Sequence, residues 1–526
     1  MKSKLFLISS AAAVMVLSSG CKKNFEAINT DPEHVTAAVM NYNYLFTAAE
    51  LTTSGNSDGN AYEDWRNNLI YSSCMIQHLS STTGYWGGDK YTYNPSYNSA
   101  YWDQNYPNTV TNIVETVTHS KGDTALSNFY NIARIFKAFM FQRMTDMYGD
   151  CPYSQAGLGY ISGITAPVYD KQQAIYDSLF NELQSAATSL NASGSNTVGA
   201  ADIIYGGSVT AWQKFAYSEM LRLAMRLVKV DPATAQKWVT AAVAGGVMSS
   251  NADNALVAHQ AQINQTAYGT GLVLTYDDPN ASRLSETFVN YLVGTQDPRL
   301  IYFGTVCANP GISWGSPGYD LGDTTYSKQL GQPNGYDLGG STTDVSKAAN
   351  YPGSQNGYSV VNRYTFARLD APTFYLTNSE TQFLLAEAAE RGWISGSPAT
   401  FYQAGVTAAM QQLTQVGASP GVSPAQIATY LTQNPYDAAN ALDQINTQYW
   451  VACFMDENEA WENWRRSGFP TLTPVNYPGN VTNGTIPRRF TYPQGEAGTN
   501  ETNYNAAVAG LANGDKMTSR VWWDAQ

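Results

Sequence analysis

Residues 380–393 read ETQFLLAEAAERGW, and residues 401–416 read FYQAGVTAAMQQLTQV. In the first stretch Phe383, Leu384, Ala388 and Trp393 fall near one face of a helix, and Glu387 stands four residues before Arg391, a spacing at which opposite charges support the helix. Gly396 supplies a stop. The second stretch then resumes helical spacing after a short turn, with small Ala residues at the contact positions. Helix, short turn, helix with small residues between is how tetratricopeptide-like hairpins pack, although no strict 34-residue consensus is present. The same periodicity predicts helices over 62–79, 124–147, 172–190, 211–230 and 442–464, and strand alternation is scarce. The predicted fold class is all-α, a scaffold of tetratricopeptide-like helical hairpins.

Long irregular stretches rich in Gly, Asn, Ser, Tyr and Pro separate these blocks, over 82–107, 268–282, 308–358 and 469–505. Loops of this length inside a compact domain are functional or disordered, and their aromatic content argues against disorder. The expected organisation is a leader over 1–20, a tether over 21–30 and one helical domain over 31–526, with large irregular ligand-binding loops at about 82–107 and 308–358. Asp31-Pro32-Glu33 suits the first turn of a helix and marks where the globule is expected to start.

The amino terminus sets the expected address. Lys2 and Lys4 precede an apolar run from Leu5 to Leu17, then Ser18-Ser19-Gly20 and Cys21. A run this short cannot span a bilayer, which takes about twenty residues, so it reads as a removed leader. Leu17-Ser18-Ser19-Gly20-Cys21 resembles the lipobox of bacterial lipoproteins, with Ser18 where the commonest version has Leu, and Cys21 is the expected lipid-attachment residue. An ordinary secretory leader would instead leave a soluble periplasmic protein. Cys74, Cys151, Cys307 and Cys453 form no CxxC pair, and their spacing leaves both buried thiols and one or two disulfides open.

The formal charge is −13, and it becomes more negative once the leader lysines leave, so nucleic acid and anionic headgroups are repelled. Charged residues are only 13%, while 36 Tyr and 12 Trp offer flat apolar faces with one polar handle. Such a composition suits neutral, hydroxyl-rich ligands, and an extracellular surface without a ligand would share it. Eight aromatics stand between Tyr85 and Tyr106 at spacing that is neither helical nor alternating. Most are expected to pin the loop to the scaffold. Tyr85, Trp86 and Asp89, around the Gly87-Gly88 pair, are the ligand candidates there, and Trp314, Tyr319 and Tyr336 are the candidates in 308–358.

Catalytic and metal signatures are weak. Gly311-Ile312-Ser313-Trp314-Gly315 fits the nucleophile-elbow pattern, yet Pro310 precedes it and Pro317-Gly318 follows, where a strand and a helix are required. Four histidines include no HExxH, and Asn56-Ser57-Asp58-Gly59-Asn60 lacks the Gly position and the twelfth-position Glu of a calcium loop. No motif nominates a pair of glycosidase carboxylates. No cofactor, metal or catalytic residue is expected.

Several local sequences, in order along the chain, resemble the SusD/RagB outer-membrane lipoproteins, specifically their second SusD-like subgroup. They are Asn29-Thr30-Asp31-Pro32, Met147-Tyr148-Gly149-Asp150-Cys151-Pro152-Tyr153, Gln296-Asp297-Pro298-Arg299-Leu300, Phe383-Leu384-Leu385-Ala386-Glu387-Ala388-Ala389, Glu459-Ala460-Trp461 with Trp464 to Pro470, and the terminal Arg488-Arg489-Phe490, Tyr492-Pro493 and Val521-Trp522-Trp523-Asp524. The resemblance implies a nutrient-binding lipoprotein that captures glycans or peptides and delivers them to a SusC-like TonB-dependent transporter, over which it sits as a lid. It also implies an outer-membrane, lipid-anchored address facing the cell surface, although Lys22-Lys23-Asn24-Phe25-Glu26 departs from the acidic run of surface-exposed members. The alternatives are a secreted glycoside hydrolase and a non-catalytic adhesion protein. Within these motifs Glu462 and Arg466 read as an i,i+4 pair and Trp461 with Trp464 as a core seam.

Overall fold

The computed structural model describes residues 40–55, 64–194, 198–262, 267–417 and 419–525. The leader, Cys21, the tether, the start at Asp31-Pro32-Glu33 and the Asn56–Asn60 loop lie outside the described residues.

The longer helices run in chain order as α1 (Tyr42–Thr53), α2 (Thr111–Ser120), α3 (Ser127–Tyr148), α4 (Gln172–Ser189), α5 (Val209–Arg226), α6 (Pro232–Gly245) and α7 (Glu286–Gly294). They continue as α8 (Asn378–Glu390), α9 (Pro398–Gln412), α10 (Pro424–Gln433), α11 (Ala441–Ala452), α12 (Glu457–Ser467) and α13 (Glu501–Ala509). Their ends follow local chemistry. Asp231 caps α6 with Pro232 in its first turn, and capping boxes at Thr377/Glu380 and Ser423/Gln426 open α8 and α10. Gly149, at φ +81°, ends α3 where the Tyr148-Gly149-Asp150 stop was read.

Helices α5 and α6, α8 and α9, and α11 and α12 form hairpins across short turns, and α5 also packs on α3, α4 and α8. Close approach depends on small residues. A Cβ on Gly405 of α9 would stand 2.6 Å from the Phe383 ring of α8. The 442–464 stretch is two helices, not one: Met455 takes φ +77°, and the Asp456 carboxylate accepts from the Glu459 amide to start α12 afresh. The segment read as a helix from residue 62 is, where described, a π-helical turn over Asp64–Ser73. Among the described residues strand is confined to three antiparallel two-stranded pairs, β1 (Leu79–Ser80) with β3 (Arg283–Leu284), β2 (Ala255–Val257) with β6 (Thr373–Leu376), and β4 (Gly304–Thr305) with β5 (Val360–Val361). These pairs tie the long loops to one another and to the helices.

The centre of the scaffold is ionic. From α5, Arg222 donates to Glu380 Oε2 on α8 at 2.6 Å, and Arg226 donates to Glu459 Oε2 on α12 at 2.6 Å and to Asp146 Oδ2 on α3 at 3.2 Å. The Glu462–Arg466 pair does not form. Glu462 accepts from Gln142 of α3 and Arg226, whereas Arg466 makes two 2.8 Å bonds to Glu387 of α8, so each residue reaches across to another helix. Glu387 also keeps its bond to Arg391. Trp461 and Trp464 are buried, as a core seam requires, and Cys74, Cys151, Cys307 and Cys453 are buried free thiols.

Glu387→Gln leaves the Arg466 guanidinium buried without a counter-charge, and urea unfolding is expected to show a loss of about 3–5 kcal/mol. The two arginines hold the Glu387 carboxyl at about 2, below its ordinary 4.5. A depressed carboxyl stabilises the fold above the unfolded-state value and stops doing so as pH falls through the folded one. The deficit of the variant against the parent is therefore expected to stay constant above pH 4.5 and to shrink between pH 4.5 and 2.

Candidate functional site

The segment from Gly269 to Asp278 is a short helical turn that widens into a π-turn over Val273–Asp277. Its first half is buried and fixed. Gly269 N–H donates to Gly55 O at 2.8 Å, the Thr270 hydroxyl donates to the Asp64 carboxylate, and a Cβ at Gly271 would stand 2.1 Å from Arg368 O, so only glycine fits there. Thr275 donates back to Gly271 O at 2.7 Å. The second half emerges: Tyr276 is 42% exposed, and Asp277 beside it is exposed.

Two of the large loops dock on this emergent end. From 82–107, the Tyr85 hydroxyl and the Trp86 indole N–H both donate to Asp278 Oδ2, the latter at 3.2 Å. From 308–358, Trp314 N–H donates to Thr275 O at 2.7 Å and the Ser313 hydroxyl to Tyr276 O at 3.0 Å. The outcome is a row of open aromatic surface, with Tyr85 41%, Tyr276 42% and Trp314 36% exposed, and with Trp65 edge-on to Tyr85 at 6.5 Å. Asp277, Asp278 and Asn280 lie along the row, and buried Arg283 holds Asn280 through its Oδ1 at 2.8 Å. Partial burial and the neighbouring Asp278 raise the Asp277 carboxyl above its ordinary value, while burial and the bond to Asp278 push the Tyr85 hydroxyl up. Aromatic faces can stack on the apolar C–H face of a sugar ring while carboxylates and carboxamides take its hydroxyls, and this row presents both.

The six sequence candidates separate. Tyr85 and Trp314 come together on the 269–278 turn. Trp86 does not join them on the surface, because it is wholly buried with its N–H spent on Asp278, and it anchors the loop instead. Asp89 is also fully buried; it accepts from Asn334 Nδ2 at 2.6 Å and Gly335 N at 2.8 Å and so clamps one loop to the other. Tyr319 is half-buried with the Arg363 guanidinium 4.8 Å over its ring, which closes that face. Tyr336 lines a different groove. Sequence reading missed Trp65, Tyr276, Asp277 and Asp278. The Tyr-Asp-Asp-Pro-Asn run at 276–280, an aromatic with acids and an amide inside a marked irregular stretch, carried the signal.

Ser313 of the elbow-like pattern lies in irregular backbone between turns and donates to a backbone carbonyl, without the flanking strand and helix. A buried cavity of about 50 Å³ lined by Asp64, Arg143, Glu380 and Asp456 has room for a few waters only. Burial pushes the Asp64 carboxyl up to about 7 there. Among the described residues no group of three or more His, Cys, Asp or Glu is placed to hold a metal ion, and no helix is long and apolar enough to cross a membrane.

Comparison with known proteins completes the picture. Residues 36–493 match the family model SusD-like_2, described as "Starch-binding associating with outer membrane". The chain resembles the solved structure of a chitin-binding protein at 35% identity, covering 92% of this chain and all of that one with a TM-score of 0.80. It also resembles a Bacteroidetes SusD-like protein, AC2a, at 26% identity over 93% of this chain and all of that one, TM-score 0.81. A chitin-binding SusD homologue from Flavobacterium johnsoniae matches at 25% identity over 92% of this chain and 99% of that one, TM-score 0.75. A search of curated proteins finds no match.

Gly271→Ala forces the turn away from Arg368 O. It is expected to cost about 1–3 kcal/mol in urea unfolding and to displace the Tyr276 row, visible as altered near-ultraviolet circular dichroism.

Proposed function

The chain belongs to the SusD-like family of starch-binding-type, outer-membrane-associated proteins, and on that premise we propose that it captures oligosaccharides on the Tyr85–Tyr276–Trp314 row and hands them to a SusC-like TonB-dependent transporter without cleaving them. The observation that carries the reading is the convergence of two long loops on the 269–278 turn, which sets three open aromatic side chains and two carboxylates along one surface. The Tyr85 side chain, tied to Asp278, and the Tyr276 and Trp314 backbone, tied by hydrogen bonds inside the protein, suit reversible capture, since less ordering entropy is lost when the backbone is already placed. Release to a partner then needs only a competing surface.

Chitin-type chains of N-acetylglucosamine are the favoured ligand class, because the 35% identical relative and the F. johnsoniae homologue are both described as chitin-binding. Starch-type glucans and peptides are the alternatives to be measured beside them. In the proposal Cys21 carries the lipid that holds the protein at the outer membrane, facing the cell surface. The capture role needs no catalytic residue.

Isothermal titration of the protein from Lys22 onward with chitohexaose, maltohexaose and a mixed peptide pool is expected to show binding of chitohexaose, with no shorter product after long incubation. Tyr85→Ala and Trp314→Ala are each expected to weaken it by about tenfold, the worth of one well-stacked ring, with the melting temperature unchanged for Trp314→Ala and slightly lowered for Tyr85→Ala, which also loses the bond to Asp278. Cleaved sugar would establish a hydrolase instead, and unchanged affinity in both variants would remove the aromatic row as the site.

A further inference from the structure

A second concavity of about 410 Å³ opens between the 333–343 part of one long loop and the 473–476 part of another, and it shares no lining residue with the aromatic row. Its lining includes Thr287, Asn334, Tyr336, Thr343, Thr473 and Asn476, a set of hydroxyls and carboxamides around one ring, and Glu286 adds a half-buried carboxylate. Tyr336 is half-buried, and its hydroxyl has no partner in the chain among the described residues. Thr473 and Asn476 are exposed on the facing wall.

Both walls are set from beneath by buried polar groups. On one side the Asp89 carboxylate, wholly buried, accepts from Asn334 Nδ2 and Gly335 N, and Asn334 also donates to Leu79 O at 2.8 Å. On the other side Gln77 donates to Thr473 O at 2.6 Å and accepts from the Thr287 hydroxyl at 2.6 Å. Gln77 is held at φ +60°, a conformation that non-glycine residues adopt at a cost and keep only where the surroundings enforce it. The walls meet where Gly335, at φ +83°, lies so near Val475 that a Cβ would stand 2.5 Å from its Cγ1. Here a residue with strained backbone, a buried carboxylate and a glycine contact combine to keep a polar groove open.

We infer that this groove is a second binding site for neutral sugar residues, independent of the aromatic row and weaker because it offers one ring in place of three. The inference rests on the oligosaccharide reading above. Asn334, Thr287 and Thr343 already bond within the chain, and the Tyr336 hydroxyl with the exposed Thr473 and Asn476 side chains is what the groove offers to sugar hydroxyls, while the Tyr336 ring supplies the apolar face. A glycan held at two places leaves more slowly than one held at either alone, since the second contact is made at high effective concentration.

The test uses chitohexaose and maltohexaose with the protein from Lys22 onward, titrated by calorimetry and by ligand-observed saturation transfer. A Tyr85→Ala/Trp314→Ala double variant is expected to keep residual saturation transfer from whichever sugar the parent binds. Adding Tyr336→Ala or Thr473→Ala to that double variant is expected to weaken what remains by about three- to tenfold, with melting temperatures unchanged. Thr473 is an exposed wall residue, so its variant tests the groove without touching the buried supports. Complete loss of binding in the double variant, or residual binding indifferent to both groove substitutions, overturns the second site and leaves the first intact. A parent protein that binds neither sugar overturns the oligosaccharide reading and this inference together.

Discussion

Two arginines on one helix, Arg222 and Arg226, decide how the other helices meet. Around them stand five carboxyls, Glu219, Glu380, Glu459, Glu462 and Asp146, contributed by α3, α5, α8 and α12. Two guanidiniums cannot hold five buried anions, and the protons distribute accordingly. Glu459, between both arginines, is held at about 2, whereas burial raises Glu219 to about 7 and lifts Glu462 as well. Tyr449, Tyr176 and Trp523 donate to the remaining carboxylate oxygens of Glu459 and Asp146. Taking such groups from water costs nearly what their attraction returns, so the cluster contributes less to net stability than to choosing which helices face one another.

The chain of contacts runs from this cluster to the surface. Helix α12, which carries Glu459 and Glu462, gives its first two N–H groups at Glu457 and Asn458 to Asn68 Oδ1, fixing the 64–73 turn. Asp64 at the start of that turn holds Thr270, and Thr270 opens the segment whose far end presents Tyr276, Asp277 and Asp278. Side-chain bonds to backbone, more than strand ladders, keep the large loops in place. Buried polar residues of this kind serve as fixed supports because an unmade bond in the interior is costly, and they let irregular backbone hold a defined surface.

Much of the helical scaffold was legible because its hairpins bury apolar faces, and apolar spacing is what periodicity reads. The ionic centre was not legible in the same way. Glu462 and Arg466 stand at helical spacing and read as a local pair, whereas each bonds to a different helix, and sequence spacing cannot distinguish a neighbour one turn away from one across the core. In the loops, Tyr85 and Trp314 were picked out because aromatics between glycines in polar surroundings are conspicuous, and both stand open on the surface. Trp86 and Asp89 stood in the same setting and turned inward, since a wall needs an anchor as much as a surface. Tyr276 to Asp278 were passed over because their local signal, an aromatic beside two acids, does not show that two distant loops arrive there, which is a fact of tertiary structure.

The four thiols carry a last consequence. Cys74, Cys151 and Cys453 lie in surroundings that push their protons on firmly, and Cys307 is raised to about 11. A thiol that does not ionise neither attacks a disulfide nor invites an oxidant. Among the described residues the core is therefore closed by packing, ion pairs and hydrogen bonds, with these four thiols held as buried, weakly reactive side chains.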